Sequence, residues 1–261
     1  MILLDVGGTF IKCDDGRQVP IVSGGSKQEI ADALRQAVGD TAVLGRIGVA
    51  IPGPFDYRNG IFLMKHKFAS VFGEDFRDIA GIPGTVEIKY EHDVTAVLRG
   101  AVRMMDLHDS NCALVTLGTG LGYACALHGE VQYDPSGSPS RSLWNQPWEN
   151  GILEDILSGR GIRSAYAGKT GDCGQTAYTV AKLAYDGAAA AIETYREAGE
   201  VLGQALAHEV KELGLDTLLM GGQISKSLSL MLEPLQADLP GVRILPSPLG
   251  AVFEGLRSLF D

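Results

Sequence analysis

The sequence predicts an α/β fold in two lobes, and three observations predict it. Strand-like runs open the chain and return around residues 112–127. The opening and the return are built alike, since "ILLDVGGTFIKC" and "CALVTLGTGLGYACAL" each set a Gly-Thr turn between two apolar runs. From about residue 152 the chain turns helical and then closes on a strand and a helix. This duplication has far too long a period for a solenoid. The boundary is expected near residues 94–110, giving lobes over 1–100 and 101–248. A terminal helix at about 249–261 should return to the first lobe, whose sheet otherwise lacks cover.

The elements follow in order. "MILLDV", stopped by glycine, suits a buried strand. "IKCDDG" and "RQVPIV" give two more strands about a turn at Asp15-Gly16. In "SKQEIADALRQAVG", Ser26 can cap, Glu29 stands three residues on, and Ile30, Ala33, Leu34, Ala37 and Val38 share a face. That is a helix with a capping box and a glycine stop. "RIGVAIPGP" is a strand ending in a Pro-Gly-Pro turn. "GTVEIKYEHD" is a strand ending in charge, and "DVTAVLRGAVRMM" a helix with Ala96, Val97, Gly100, Ala101 and Met104 along one side. "NCALVTLGTGLGYACALHGE" is a hairpin. Residues 134–151, rich in Pro, Ser, Gly, Asn and Trp, read as a loop. Helices cover 152–213. "LDTLLMGGQIS" is a buried strand into a glycine turn, "SKSLSLMLEPLQADL" a helix, "VRILPS" a strand and "LGAVFEGLRSLF" the last helix.

Composition narrows the function classes. The chain has 261 residues, 45% hydrophobic and 21% charged, ample for a packed core. Its formal charge is −10, from 22 basic and 32 acidic residues. Bulk attraction to nucleic acid or to an anionic membrane is not expected. An anionic ligand would need local devices: backbone amides, a helix N-terminus or a metal ion. The four cysteines, at 13, 112, 125 and 173, form no CxxC pair, so neither a zinc knuckle nor a redox motif is written. Met1-Ile2-Leu3-Leu4 meets Asp5 too soon for a signal peptide, and no apolar run reaches membrane-spanning length. A cytoplasmic protein is the expectation.

The chemistry gathers at glycine loops. In Asp5-Val6-Gly7-Gly8-Thr9, glycines past a strand let backbone approach a ligand and aim N–H groups at phosphate oxygens. Thr9 adds a hydroxyl and Lys12 a cation, while Asp5 can hold a hydrated magnesium ion. A tight type I′ or II′ hairpin turn that needs glycine explains the stretch equally well. Gly118-Thr119-Gly120-Leu121-Gly122 repeats the device with more glycine than one turn requires. Gly221-Gly222, after the apolar "TLLM", is by itself best read as a strand-to-helix turn. None of the three is a P-loop or a Rossmann fingerprint.

Taken in order, "DVGGTFIK", "AIPGPFDYRNG", "EHDVTAVLRGA", "TLGTGLGYACALHGE", "LEDILSGRGI" and "LLMGGQIS" resemble the ROK sugar kinases of the actin-like ATPase superfamily. The resemblance runs from residue 2 to about 255. It implies a two-lobed actin-like (ribonuclease H-like) fold with ATP and sugar in the cleft between the lobes. It implies that the first two glycine loops cradle phosphate, that Gly221-Gly222 lies by the adenosine, and that Mg²⁺ sits near Asp5 through water. Asp93 matches the family's base, which accepts the proton of the sugar hydroxyl. Its residue type also suits a helix N-cap before "VTAVLRGA". Gly53, His92, Asp93 and Glu154 are then the expected sugar contacts. Family members often dimerise through the helical lobe.

Three departures stand out. His92 replaces the asparagine that usually precedes the aspartate, bringing a different shape and a pH-dependent charge. The family's Glu-x-Gly-His motif and its Cys/His zinc cluster are missing, so no structural zinc is expected. A shorter loop over 129–152 stands there with Trp144 and Trp148, one of which could stack on a sugar or pin the loop to the helical lobe. Glu149 and Glu130 are candidate stand-ins for the missing glutamate. His66 and Lys67 read as a solvated loop, and His108, His128 and His208 as structural residues with no partner spacing. The expected activity is ATP-dependent phosphorylation of a sugar hydroxyl. The rivals are a non-catalytic sugar-responsive regulator and an actin-like kinase with a non-hexose acceptor. Family regulators carry an N-terminal DNA-binding segment, and this sequence opens directly on the first phosphate-loop strand.

Overall fold

A computed structural model describes residues 1–43 and 45–261. The chain divides into two compact units. Unit 1 takes residues 1–106, 133–140 and 248–261, and unit 2 takes 107–132 and 141–247.

Unit 1 begins with β1 (Ile2–Val6), β2 (Phe10–Cys13) and β3 (Gln18–Pro20), an antiparallel meander. Helix α1 (Lys27–Val38) follows. Its capping box is formed: Ser26 Oγ accepts the Glu29 N–H, and the Glu29 carboxylate accepts the Ser26 N–H at 2.8 Å. β4 (Arg46–Ile51), the short hairpin β5 (Phe55–Asp56) and β6 (Ile61–Phe62), α2 (Phe76–Ala80), β7 (Glu87–His92) and α3 (Asp93–Met104) complete the stretch. The sheet order is β3-β2-β1-β4-β7, with β1, β4 and β7 parallel.

Unit 2 opens with the hairpin β8 (Cys112–Leu117) and β9 (Leu121–Leu127), then β10 (Glu130–Val131). The stretch 134–151 is not all loop: β11 (Pro147–Trp148) and β12 (Gly151–Ile152) pair antiparallel. Helices α4 (Leu153–Ile156), α5 (Gly159–Thr170), α6 (Ala177–Tyr185) and α7 (Ala189–Leu213) follow. After β13 (Thr217–Gly221) the expected helix breaks up. Ile224–Leu230 is 3-10 in form, with Ser227 at φ −102°, ψ 24°, and only α8 (Leu232–Asp238) is α-helical. β14 (Arg243–Pro246) closes a sheet of order β10-β9-β8-β13-β14, with β8, β13 and β14 parallel. Each unit thus lays a three-strand antiparallel meander beside two further parallel strands, in the same order.

The last helix, α9 (Ala251–Ser258), packs in unit 1 against α3 and β1. The crossing depends on two glycines. A Cβ at Gly100 would stand 1.8 Å from the Ala251 carbonyl oxygen, and one at Gly255 would stand 1.9 Å from that of Ala96. Leu256, Leu3, Ala50 and Ala96 form the small core beneath them. This contact corrects the face expected for α3: Ala96, Gly100 and Ala101 are buried, whereas Met104 is exposed and Val97 half-buried. Among the described residues, no helix is long and apolar enough to cross a membrane.

Candidate functional site

In unit 1 the parallel strands β1, β4 and β7 deliver their carboxyl ends to one edge of the sheet, where open α/β sheets bind ligands. Past β1 come Gly7, Gly8 and Thr9; past β4, Gly53; at the end of β7, His92 and Asp93.

Asp5 pairs with Lys12, its register neighbour on β2, at 3.0 Å. Burial pushes the Asp5 carboxyl up, Lys12 pulls it part of the way back by charge and hydrogen bond, and the Asp93 charge adds to the rise. Neither Gly7 nor Gly8 has left-handed backbone. A type I′ or II′ turn is therefore ruled out as the reason for the glycines. Gly7 is a matter of room, since a Cβ there would lie 2.9 Å from the Phe10 carbonyl oxygen. Its N–H is spent inside the loop on that same oxygen, at 3.0 Å. The Gly8 and Thr9 N–H groups have no partner among the described residues, while their carbonyls are held by Ser23 and Ile21.

Asp93 is the first residue of α3, and His92 stands in the N-cap place that the sequence suggested for Asp93. Asp93 Oδ1 accepts the Val94 N–H at 2.8 Å and lies 2.8 Å from His92 Nδ1. Val94 N is farther from His92 Nδ1, at 3.3 Å, so the imidazole nitrogen is better placed to donate to the carboxylate. Burial works to raise the Asp93 carboxyl. The His92 charge and hydrogen bond, the Val94 N–H and the Lys67 charge outweigh it and hold the group below the ordinary carboxylate range. Oδ2 has no partner among the described residues. Gly53 sits against this pair: a Cβ there would lie 3.3 Å from Tyr57 Oη and 3.5 Å from His92 Nε2.

Segment 133–140 joins the same unit through a buried lock. Glu91, only 4% exposed, takes Arg99 Nε at 3.2 Å and accepts a hydrogen bond from the Tyr133 hydroxyl. Arg99 Nη2 donates to that hydroxyl at 2.6 Å. Gly137 then lies over Tyr57, where a Cβ would come 3.3 Å from the Tyr57 Cβ.

In unit 2, β8 and β13 carry Gly118–Gly120 and Gly221-Gly222 at their carboxyl ends. Gly118, Gly120 and Gly122 also lack left-handed backbone, and a Cβ on Gly118 would meet nothing within 4 Å. Neither conformation nor protein packing calls for glycine at 118. The Gly118 N–H bonds the Gly120 carbonyl at 3.0 Å, and the Gly159 N–H bonds the Gly118 carbonyl at 2.8 Å. Thr119 and Gly120 keep N–H groups with no partner among the described residues. Gly222 differs: its φ is +85°, and a Cβ would stand 2.2 Å from the Leu117 carbonyl oxygen, so a tight turn accounts for it. Glu154 Oε2 accepts the Leu121 N–H at 3.0 Å.

Residues 148–242 match the model of the ROK family. The resemblance carried by the six sequence motifs is borne out, and solved ROK proteins share the two-lobed actin-like α/β fold. A ROK glucokinase from Streptomyces griseus, solved with glucose and AMPPNP, superposes with a TM-score of 0.80 at 21% identity, covering 99% of this chain and 98% of that one. A ROK hexokinase from Thermus thermophilus gives 0.70 at 22% identity, over 98% and 96%. A ROK transcriptional regulator, homologous to the E. coli MLC protein, gives 0.77 at 15% identity, over 99% and 80%. No curated protein sequence matches the chain.

Several ROK-motif neighbours were out of reach of sequence reasoning. Tyr57, buried and bonded to the Ile51 carbonyl at 3.2 Å, packs its ring on His92. Lys67, read as solvated, acts electrostatically on Asp93. Trp148 packs on the unit 2 core and so pins its loop, while Trp144 is exposed and its carbonyl accepts the Glu154 N–H. Glu130 lies exposed on the edge strand β10, and Glu149 turns the β11–β12 hairpin with φ 49°. His208 has a partner after all, Glu212 four residues on, at 3.4 Å. With Glu209 these two form the one metal-compatible cluster among the described residues, and Arg141 already neutralises both carboxylates.

Proposed function

We propose that the chain is an ATP-dependent sugar kinase of the ROK type, acting in the cytoplasm. The observation that carries this is Asp93: ionised, fixed through one oxygen by His92 and Val94, and open at the other. A carboxylate so held can take the proton of an acceptor hydroxyl, most simply a 6-hydroxyl, as its oxygen attacks the γ-phosphoryl of ATP. The products are the sugar phosphate and ADP, with the proton left on Asp93. Phosphoryl transfer needs little more from a base than position, and general-base action is worth about 10²–10⁴-fold.

Gly53 and His92 are the proposed acceptor contacts in unit 1, while Glu154, the other residue expected to touch the acceptor, has one carboxylate oxygen on the Leu121 N–H. The uncommitted N–H groups of Gly8, Thr9, Thr119 and Gly120 suit phosphate oxygens, with Thr9 and Lys12 beside the first loop and the Gly118–Gly122 turn forming the second. Gly221-Gly222 shape the adenosine side. Asp5 fits a hydrated Mg²⁺: its carboxyl is destabilised by burial and by the Asp93 charge, and a cation would relieve both. When bound, that ion would neutralise phosphate charge. A homodimer belongs to the same proposal.

The test is ADP release measured against hexoses, N-acetylhexosamines and their derivatives. Acceptor-dependent release that disappears in Asp93→Ala, with ATP still bound, supports the proposal. Turnover in that variant close to that of the parent refutes it. The second reading, a sugar-responsive protein without catalysis, draws on one observation: the His92–Asp93 pair weakens the very base the reaction uses. Stabilisation by sugar with no ADP from any acceptor would favour it.

A further inference from the structure

We propose that Glu154 is a positioning residue of the Gly118–Gly120 loop, a role that rests on the kinase reading only for the identity of the loop's ligand. Four hydrogen bonds and one close approach within unit 2 carry it. The Glu154 backbone is fixed, because its N–H bonds the Trp144 carbonyl at 3.1 Å and the preceding Leu153 is fully buried with its N–H on the Gln146 carbonyl. From that anchored position the carboxylate reaches across 33 residues to accept the Leu121 N–H at 3.0 Å. The same oxygen would lie 2.7 Å from a Cβ on Gly120. Gly120 has no left-handed backbone, so it is glycine to make room for Glu154. At the other end of the loop, the Gly159 N–H holds the Gly118 carbonyl at 2.8 Å.

The loop is therefore pinned on both sides of its tip by one short stretch, residues 154–159. Its first carbonyl and the first amide after it are taken, and the Thr119 and Gly120 N–H groups between them are left to point at a ligand. A charge-assisted bond to a fixed carboxylate is among the stronger ways to hold a backbone amide. A carboxylate beside an anion-binding turn carries an electrostatic penalty, which the Leu121 N–H offsets. Glutamine at 154 would keep an acceptor for that N–H and remove the charge.

The test uses the full chain with Glu154→Ala and Glu154→Gln, checked first for unchanged thermal unfolding. Two readouts are taken: hydrogen exchange of the Leu121 amide, and affinity for a fluorescent, non-hydrolysable ATP analogue. Alanine should speed Leu121 exchange at least ten-fold and weaken the analogue by about ten-fold, the size of one lost bond to a charged group. Glutamine should restore both to the parent level, or tighten the analogue slightly. In turnover, alanine should raise KM for ATP more than KM for the acceptor. Unchanged Leu121 exchange in Glu154→Ala, or no rescue by glutamine, overturns the proposal. So does a rise confined to the acceptor KM and equal in both variants. A parent chain that binds no ATP analogue would sink the kinase reading instead, and the Leu121 exchange rates would still decide whether Glu154 holds the loop.

Discussion

His92 Nδ1 stands 2.8 Å from Asp93 Oδ1, on the carboxylate oxygen that also takes the Val94 N–H. A sequence step that the ROK resemblance would fill with asparagine is thus filled by a residue whose charge and hydrogen bond both act on the Asp93 carboxylate. The consequence is a carboxylate that stays ionised further into acid than an ordinary aspartate.

On the proposed kinase reading, this places the Asp93 acid limb of kcat/KM below the usual aspartate range. His92→Asn should move that limb upward, because the imidazole charge and hydrogen bond are gone, while activity at neutral pH persists. Asp93 Oδ1 keeps the Val94 N–H and the amide oxygen of asparagine can share it from the N-cap place, so stability should hold within about 1 kcal/mol. A pH–rate profile of the two proteins checks this, and identical acid limbs would contradict it.

The same group has a stability signature. The folded pKa of Asp93 lies below its unfolded value, so its contribution is present above the unfolded pKa and is lost as pH falls through the folded one. Asp5 has the opposite sign: its contribution is present in acid and lost as pH rises through the raised folded pKa. Asp5→Asn should therefore be at least as stable as the parent at pH 7, with Tm unchanged or up by a few degrees, on the order of 2–4 °C per kcal/mol. Its Mg²⁺-dependent ADP release should nevertheless fall. A lower Tm in Asp5→Asn would show that the Lys12 pair outweighs burial.

Three glycines should divide into two kinds of response to alanine. Gly118→Ala meets open space and ordinary backbone, so its stability should match the parent while nucleotide affinity drops. Gly222→Ala must adopt φ +85° and clash with Leu117, and it should lose about 1–3 kcal/mol or more. Gly100→Ala should do likewise by forcing α9 off α3. Thermal unfolding beside nucleotide titration separates the cases, and a Gly118→Ala that binds nucleotide normally would count against the second cradle.

The lock on segment 133–140 gives a fourth expectation. Tyr133→Phe removes the hydroxyl shared by Glu91 and Arg99 and leaves their ion pair in place. The fold should survive, since Arg99 still neutralises the buried Glu91. The effect should appear as a higher KM for the acceptor with ATP unaffected, because Gly137 of this segment lies over Tyr57 beside His92. Equal change in both KM values would place the segment's influence elsewhere.

Much of this was legible in the sequence because it is local. The Ser26–Glu29 capping box, the two Gly-Thr hairpins and the charged end of β7 are each written within a few residues. What escaped depends on contacts between distant segments. Nothing near Tyr57 announces His92 as its neighbour, and nothing near Lys67 announces Asp93. Residues 133–140 look like any polar loop until Glu91 and Arg99 claim Tyr133. The periodicity of α3 misled at Met104 because the helix buries a glycine-lined face against α9, and small residues carry little hydrophobic signal. The helix expected over 225–239 begins as 3-10 turns, which apolar spacing does not distinguish from α.

The seating of α9 on α3 bears on how the protein is made. Leu3, Ala50 and Ala96 share their core with Leu256, so β1 and β4 leave the ribosome well before the helix that covers them. Every residue of unit 2 is synthesised in that interval. During translation, unit 2 can reach its native packing while the sheet of unit 1 still shows an uncovered apolar face, the kind of transient surface that chaperones hold. Ribosome-stalled chains ending before residue 251 should bear that face to solvent, and longer ones should hide it.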